Sequence, residues 1–90
     1  LNNDGLDAYQ NGYYGRALEF FNKAFDYMPY NPSLALNLLQ TISKIGGVTK
    51  DTARLARRCV EILEQSELNE GNTKRFAAVM KELNSLLQLA

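Results

Sequence analysis

Residues 1–29 read LNNDGLDAYQNGYYGRALEFFNKAFDYMP, and the spacing of their small and aromatic residues decides how the whole chain is read. Leu1, Gly5, Ala8 and Tyr9 recur at three- and four-residue steps, which places them on one face of a helix. Gly12 follows and halts it, because glycine tolerates the left-handed conformation that ends helices. A second helix is predicted over Tyr14 to Met28, where Ala17, Phe20, Phe21, Ala24 and Phe25 form a dense apolar stripe. Pro29 closes it, since a proline inside a helix loses a hydrogen bond and clashes with the preceding turn.

Beyond this pair the pattern stays helical. Asn31 and Pro32 make a helix start, with asparagine capping free amides and proline at the first position. The stripe that follows is Leu34, Leu38, Leu39, Ile42 and Ile45, ending at Gly46-Gly47. Thr49 is placed to cap a fourth helix, with Asp51 favourably sited in its first turn. That helix is expected to bury Leu55, Ala56, Cys59, Val60, Ile62 and Leu63. Periodicity lapses at Asn69-Glu70-Gly71, and Asn72 is expected to cap a fifth helix over 72–89, striped by Phe76, Val79, Met80, Leu83, Leu86 and Leu87. No segment alternates apolar and polar residues long enough to argue for a strand. The reading is all-α.

Composition excludes several functions. Ten basic and ten acidic residues cancel, so no net field draws the chain to nucleic acid or to anionic lipid. The chain contains no histidine, hence neither the commonest general base nor the commonest metal ligand. Neither a catalytic constellation nor a metal or cofactor motif is visible, so the chain is read as a non-enzyme. Cys59, the single cysteine, permits no internal disulfide and suits a reducing, cytoplasmic setting. No apolar run is long enough for a membrane span. The chain begins at Leu1, and it is read as an excerpt of a longer protein.

The order Gly5, Ala8, Gly12, Tyr14, Ala17, Phe21, Ala24, Pro29 resembles one complete tetratricopeptide repeat. Small residues stand where two antiparallel helices approach closely, and Tyr14 and Phe21 fill the wedge between successive pairs. Leu1 replaces the usual aromatic, Asp4 an apolar residue and Ala8 a tyrosine. On this resemblance repeat one covers 1–31, and a degenerate repeat two covers 32–68. A step of about 34 residues carries Gly12 to Gly46, and an insertion of about five residues near 46–51 displaces the rest. The last helix is then the cap of a short superhelix. A narrower resemblance rests on Asn2-x-x-Gly5-x-x-Ala8, the glycine turn and the short second pair. It is to the carboxy-terminal module of bacterial response regulators, although nothing in this chain is a receiver domain.

The resemblance implies a protein-binding adaptor, with a peptide or partner helix held in the groove lined by the first helix of each pair. It would serve as the output or scaffolding end of a two-component signalling protein. The groove positions are Asn2, Asn3, Leu6, Tyr9 and Gln10 from the first pair, and Leu36, Asn37, Gln40, Ser43 and Lys44 from the second. Asn37 matches the asparagine that bonds a peptide backbone in such grooves, and it is equally accounted for as a common residue there. The paired lysine and asparagine that clamp a terminal carboxylate are not reproduced.

Other features have plainer readings. Lys50, Arg54, Arg57 and Arg58 fall on one side of the fourth helix and read as a solvated face near Glu61 and Glu64. The carboxylates Glu61, Glu64, Glu67 and Glu70 read as solubilising surface, and Cys59 as a packed thiol. Leu86 and Leu89 exceed what an intramolecular core needs, which gives the alternative reading of a homodimerisation domain.

Overall fold

In the computed structural model of the protein, which describes residues 2–47 and 49–89, with side chains over 3–47 and 49–85, each helix boundary has a local cause. Helix α1 (Asn2–Gln10) ends on Gly12, at φ +83°. The Gly12 N–H donates to the Tyr9 carbonyl at 3.1 Å, and the Tyr13 N–H reaches back to the Ala8 carbonyl at 2.8 Å. That pair of bonds satisfies carbonyls the helix end leaves open, and it requires a left-handed residue between them.

Helix α2 (Tyr14–Tyr27) stops just before Pro29. Asn31 caps α3 (Pro32–Ile45), its side-chain oxygen accepting the Leu34 N–H at 3.2 Å. Gly46, at φ +78°, closes α3. Thr49 and Thr52 cap α4 (Lys50–Glu64) reciprocally, each hydroxyl accepting the other's backbone N–H, at 2.8 and 3.2 Å. Gly46 and Gly47 follow α3, and Lys50 and Asp51 open α4.

The start of α5 (Glu70–Leu89) corrects the sequence reading. Asn69, and not Asn72, is the capping residue: its side chain accepts the Asn72 N–H at 2.7 Å, and its carbonyl accepts from the Thr73 N–H and hydroxyl. Glu70 and Gly71 belong to the helix, and the turn lies over Gln65 to Asn69. An N-terminal Glu in a first turn is favoured by the helix dipole, a cue outweighed in the sequence by the neighbouring glycine.

Helix α3 is the centre of the molecule. It packs on α2, α4 and α5, while α1 packs on α2. Leu34, Ala35 and Leu36 are all buried, as are Leu38, Leu39, Thr41 and Ile42, so α3 is enclosed over much of its circumference. The one buried polar side chain among the described residues, Thr41, donates its hydroxyl to the Asn37 carbonyl at 2.7 Å. Ile45 departs from expectation: it is 42% exposed, one position before the glycine that ends the helix. In α4, Ala53, Ala56, Cys59, Ile62 and Leu63 are buried, with Leu55 and Val60 half-buried against them. Val79 and Leu83 of α5 are buried, and Phe76 packs at the core's edge. The result is an all-α stack whose helices pack largely in sequence order, with α5 covering α3. The side chains of Leu86, Leu87 and Leu89 lie outside the described residues.

The α1–α2 contact depends on one missing methyl. A Cβ on Gly5 would lie 2.6 Å from Cε1 and 2.7 Å from Cδ1 of Phe21, whose ring is almost wholly buried. Overpacking of this kind costs about 1–3 kcal/mol, against the roughly 1 kcal/mol that alanine gains over glycine in a helix. Gly5→Ala should therefore lower unfolding stability by up to about 2 kcal/mol in urea titration. Gly15→Ala, with open space around it, should leave stability unchanged or slightly raised.

Candidate functional site

Leu6, Tyr9 and Gln10 share one face of α1, Asn37, Gln40 and Lys44 one face of α3, and Arg75, Val79 and Glu82 one face of α5. The fold turns these three faces toward a common depression. One cavity of about 210 Å³ is lined by Leu6, Tyr9, Gln10, Phe21, Asn37, Gln40 and Arg75. A second, of about 250 Å³, is lined by Tyr9, Gln40, Lys44, Arg75, Ala78, Val79 and Glu82. Tyr9, Gln40 and Arg75 border both, so the two adjoin. The Tyr9 ring is held edge-on against Tyr14, centroids 5.3 Å apart.

Most of the expected groove residues come together here. Leu6, Gln10, Asn37 and Gln40 border the first cavity and Lys44 the second. Asn3 is exposed on α1, outside both linings. Leu36 is corrected: it is fully buried in α3 and offers the groove no surface. Ser43 donates its hydroxyl to the Glu82 carboxylate and so ties α3 to α5 beside the second cavity. Asn2 and the proposed self-association residues, Leu86 and Leu89, have side chains outside the described residues.

Arg75 was not anticipated. Its Nη2 donates to Oε1 of Gln40 at 2.6 Å and to Oδ1 of Asn37 at 3.3 Å, while Nη1 donates to Oδ1 of Asn72 at 3.2 Å. All three acceptors are neutral amides, and among the described residues no carboxylate lies within 4.0 Å of the guanidinium. A cue did exist, because Arg75 precedes the buried Val79 by four positions and must lie along the same inner edge of α5. What the sequence withheld was that α5 would lie on α3, bringing this edge to Asn37 and Gln40.

A larger hollow of about 480 Å³ lies elsewhere, lined by Tyr30, Arg58, Glu61, Ile62, Gln65 and Ser66. The Arg58 guanidinium there sits 5.4 Å from the centre of the Phe25 ring, and the Ser66 hydroxyl is bonded to the Ile62 carbonyl. The basic face of α4 is exposed, as expected of a solvated face, but Arg57 and Arg58 form no ion pair with Glu61 or Glu64 among the described residues. Among the described residues no three His, Cys, Asp or Glu side chains are grouped as a metal site would require.

Cys59 is wholly buried, and burial pushes its thiol up to about 12, a shift that Arg58 only partly opposes. The thiol thus stays protonated in the folded state through neutral pH, and reagents need the thiolate. At pH 8, labelling with a disulfide reagent should be much slower than for a free cysteine and should accelerate on adding urea. Because the folded thiol titrates above the unfolded one, its contribution to stability is intact below about pH 9 and is lost as pH rises toward about 12.

The exposed hydrogen bonds of Arg75 carry little folding energy. Arg75→Gln should move stability by less than about 1 kcal/mol in urea titration, whereas Val79→Ala, which empties a buried site, should cost more. Compared with models of known protein families, with curated proteins and with solved structures, the chain matches none.

Proposed function

We propose that this chain is a protein-interaction module of the tetratricopeptide type, holding an extended peptide segment along the depression between α1, α3 and α5. The observation that carries this reading is the convergence of three helix faces, with apolar and amide side chains interleaved, on two adjoining cavities. At about 210 and 250 Å³, each is smaller than the roughly 300–1,000 Å³ of pockets that enclose a whole small molecule. Volumes of this size suit single side chains, and two in a row suit successive residues of one chain. Gln10, Asn37 and Gln40 bring side-chain amides, which can both donate to and accept from an extended backbone. Such a backbone needs partners of this kind because it brings none of its own.

The balanced charge argues against a polyanion as the partner. Leu6, Tyr9 and Phe21 provide the apolar wall on which an aliphatic or aromatic anchor would rest.

Titration of the isotopically labelled protein with pooled blocked peptides tests the reading by amide chemical-shift mapping. Shifts are expected to cluster on Tyr9, Gln10, Asn37 and Gln40, and Tyr9→Ala should weaken the best binder about tenfold or more. Shifts confined to Tyr30, Arg58 and Gln65, or no shifts at all, would sink it.

A further inference from the structure

We infer that the peptide taken by this groove carries an internal acidic residue, Asp or Glu, seated on Arg75 and adjacent to an apolar residue in the Leu6–Tyr9–Phe21 cavity. This rests on the groove reading above and specifies its ligand. The charge comes first. A guanidinium has five N–H donors, and those of Arg75 that are bonded go to the neutral oxygens of Gln40, Asn37 and Asn72. Its positive charge is thereby held in place with no carboxylate within 4.0 Å among the described residues, the nearest cavity-lining acid, Glu82, being bonded to Ser43. A charge held in position by neutral acceptors favours an anion strongly, since both the direction and the remaining donors are set before the ligand arrives.

Placement decides where along the peptide the acid lies. Arg75 borders both cavities, together with Tyr9 and Gln40. A segment that fills the two must pass Arg75 in its middle, so the acid belongs to a side chain with residues on both sides of it. A free terminal carboxylate seated on Arg75 would leave one of the two cavities empty. On one side the walls are Leu6, Tyr9 and Phe21, which accept an apolar neighbour. On the other the lining adds Lys44 and Glu82, of opposite sign, and Glu82 is already bonded to Ser43, which suits a polar neighbour.

A positional library of acetylated, amidated nonapeptides, with one fixed residue at the centre, tests this on the intact chain. The parent protein should enrich central Asp and Glu over Asn and Gln by about 10- to 100-fold, with an apolar residue favoured on one side only. Enrichment should shrink as salt is raised. Arg75→Gln should abolish the acidic preference and keep the apolar one. Gln40→Glu, which hands Arg75 a carboxylate from within the protein, should do the same, and thermal melting would verify that both variants fold. Enrichment of apolar residues with no acidic preference would overturn this inference and leave the groove reading standing. An acidic preference that survives both substitutions, or one seen only in peptides with a free carboxy terminus, would likewise overturn it. No enrichment of any peptide would overturn both.

Discussion

The enclosure of α3 is the constraint on which the other elements depend. A helix with only one apolar stripe needs one neighbour, but α3 buries Leu34, Ala35, Leu36, Leu38, Leu39 and Ile42, which point in several directions. It therefore requires α2, α4 and α5 around it at once. A chain this short has no other way to remove so much apolar surface from water. The same requirement leaves one strip of α3 only partly covered, the one carrying Asn37, Gln40 and Lys44, and a polar strip between packed neighbours becomes the floor of a depression.

The close approach of α1 to α2 works on the same depression from the other side. Phe21 lies against Gly5 and also borders the first cavity. The close approach of the first helix pair and the wall of the cavity thus involve the same ring.

Much of this was legible in the sequence, for reasons that differ by residue. Gly12, Asn31, Pro32, Gly46 and Thr49 announce their roles because each turn or cap needs a backbone conformation or a side-chain acceptor that few residues supply. The α1 and α3 residues of the depression are those the tetratricopeptide resemblance implies, and helical spacing is compatible with it in grouping Leu6 with Gln10 and Asn37 with Gln40. The start of α5 was misplaced because Asn69 and Asn72 are chemically equal as caps, and only the bond to the Asn72 N–H separates them. Leu36 was misassigned because a one-stripe model of α3 cannot show burial on several sides. Arg75 was missed because its partners are far from it in sequence, and local periodicity carries no information about which helix α5 lies on.

The depression draws its apolar wall from α1 and its guanidinium from α5, helices near opposite ends of the described chain. Terminal helices are the first parts of most domains to open, since each is anchored on one side only. A molecule bound across them would act as a strap, joining the two segments least tied to the centre. By mass action it would suppress their separate fraying, an effect that grows with ligand concentration. Occupancy and local unfolding would then be two sides of one equilibrium, with protease resistance of α1 and α5 rising together and that of α3 scarcely changing.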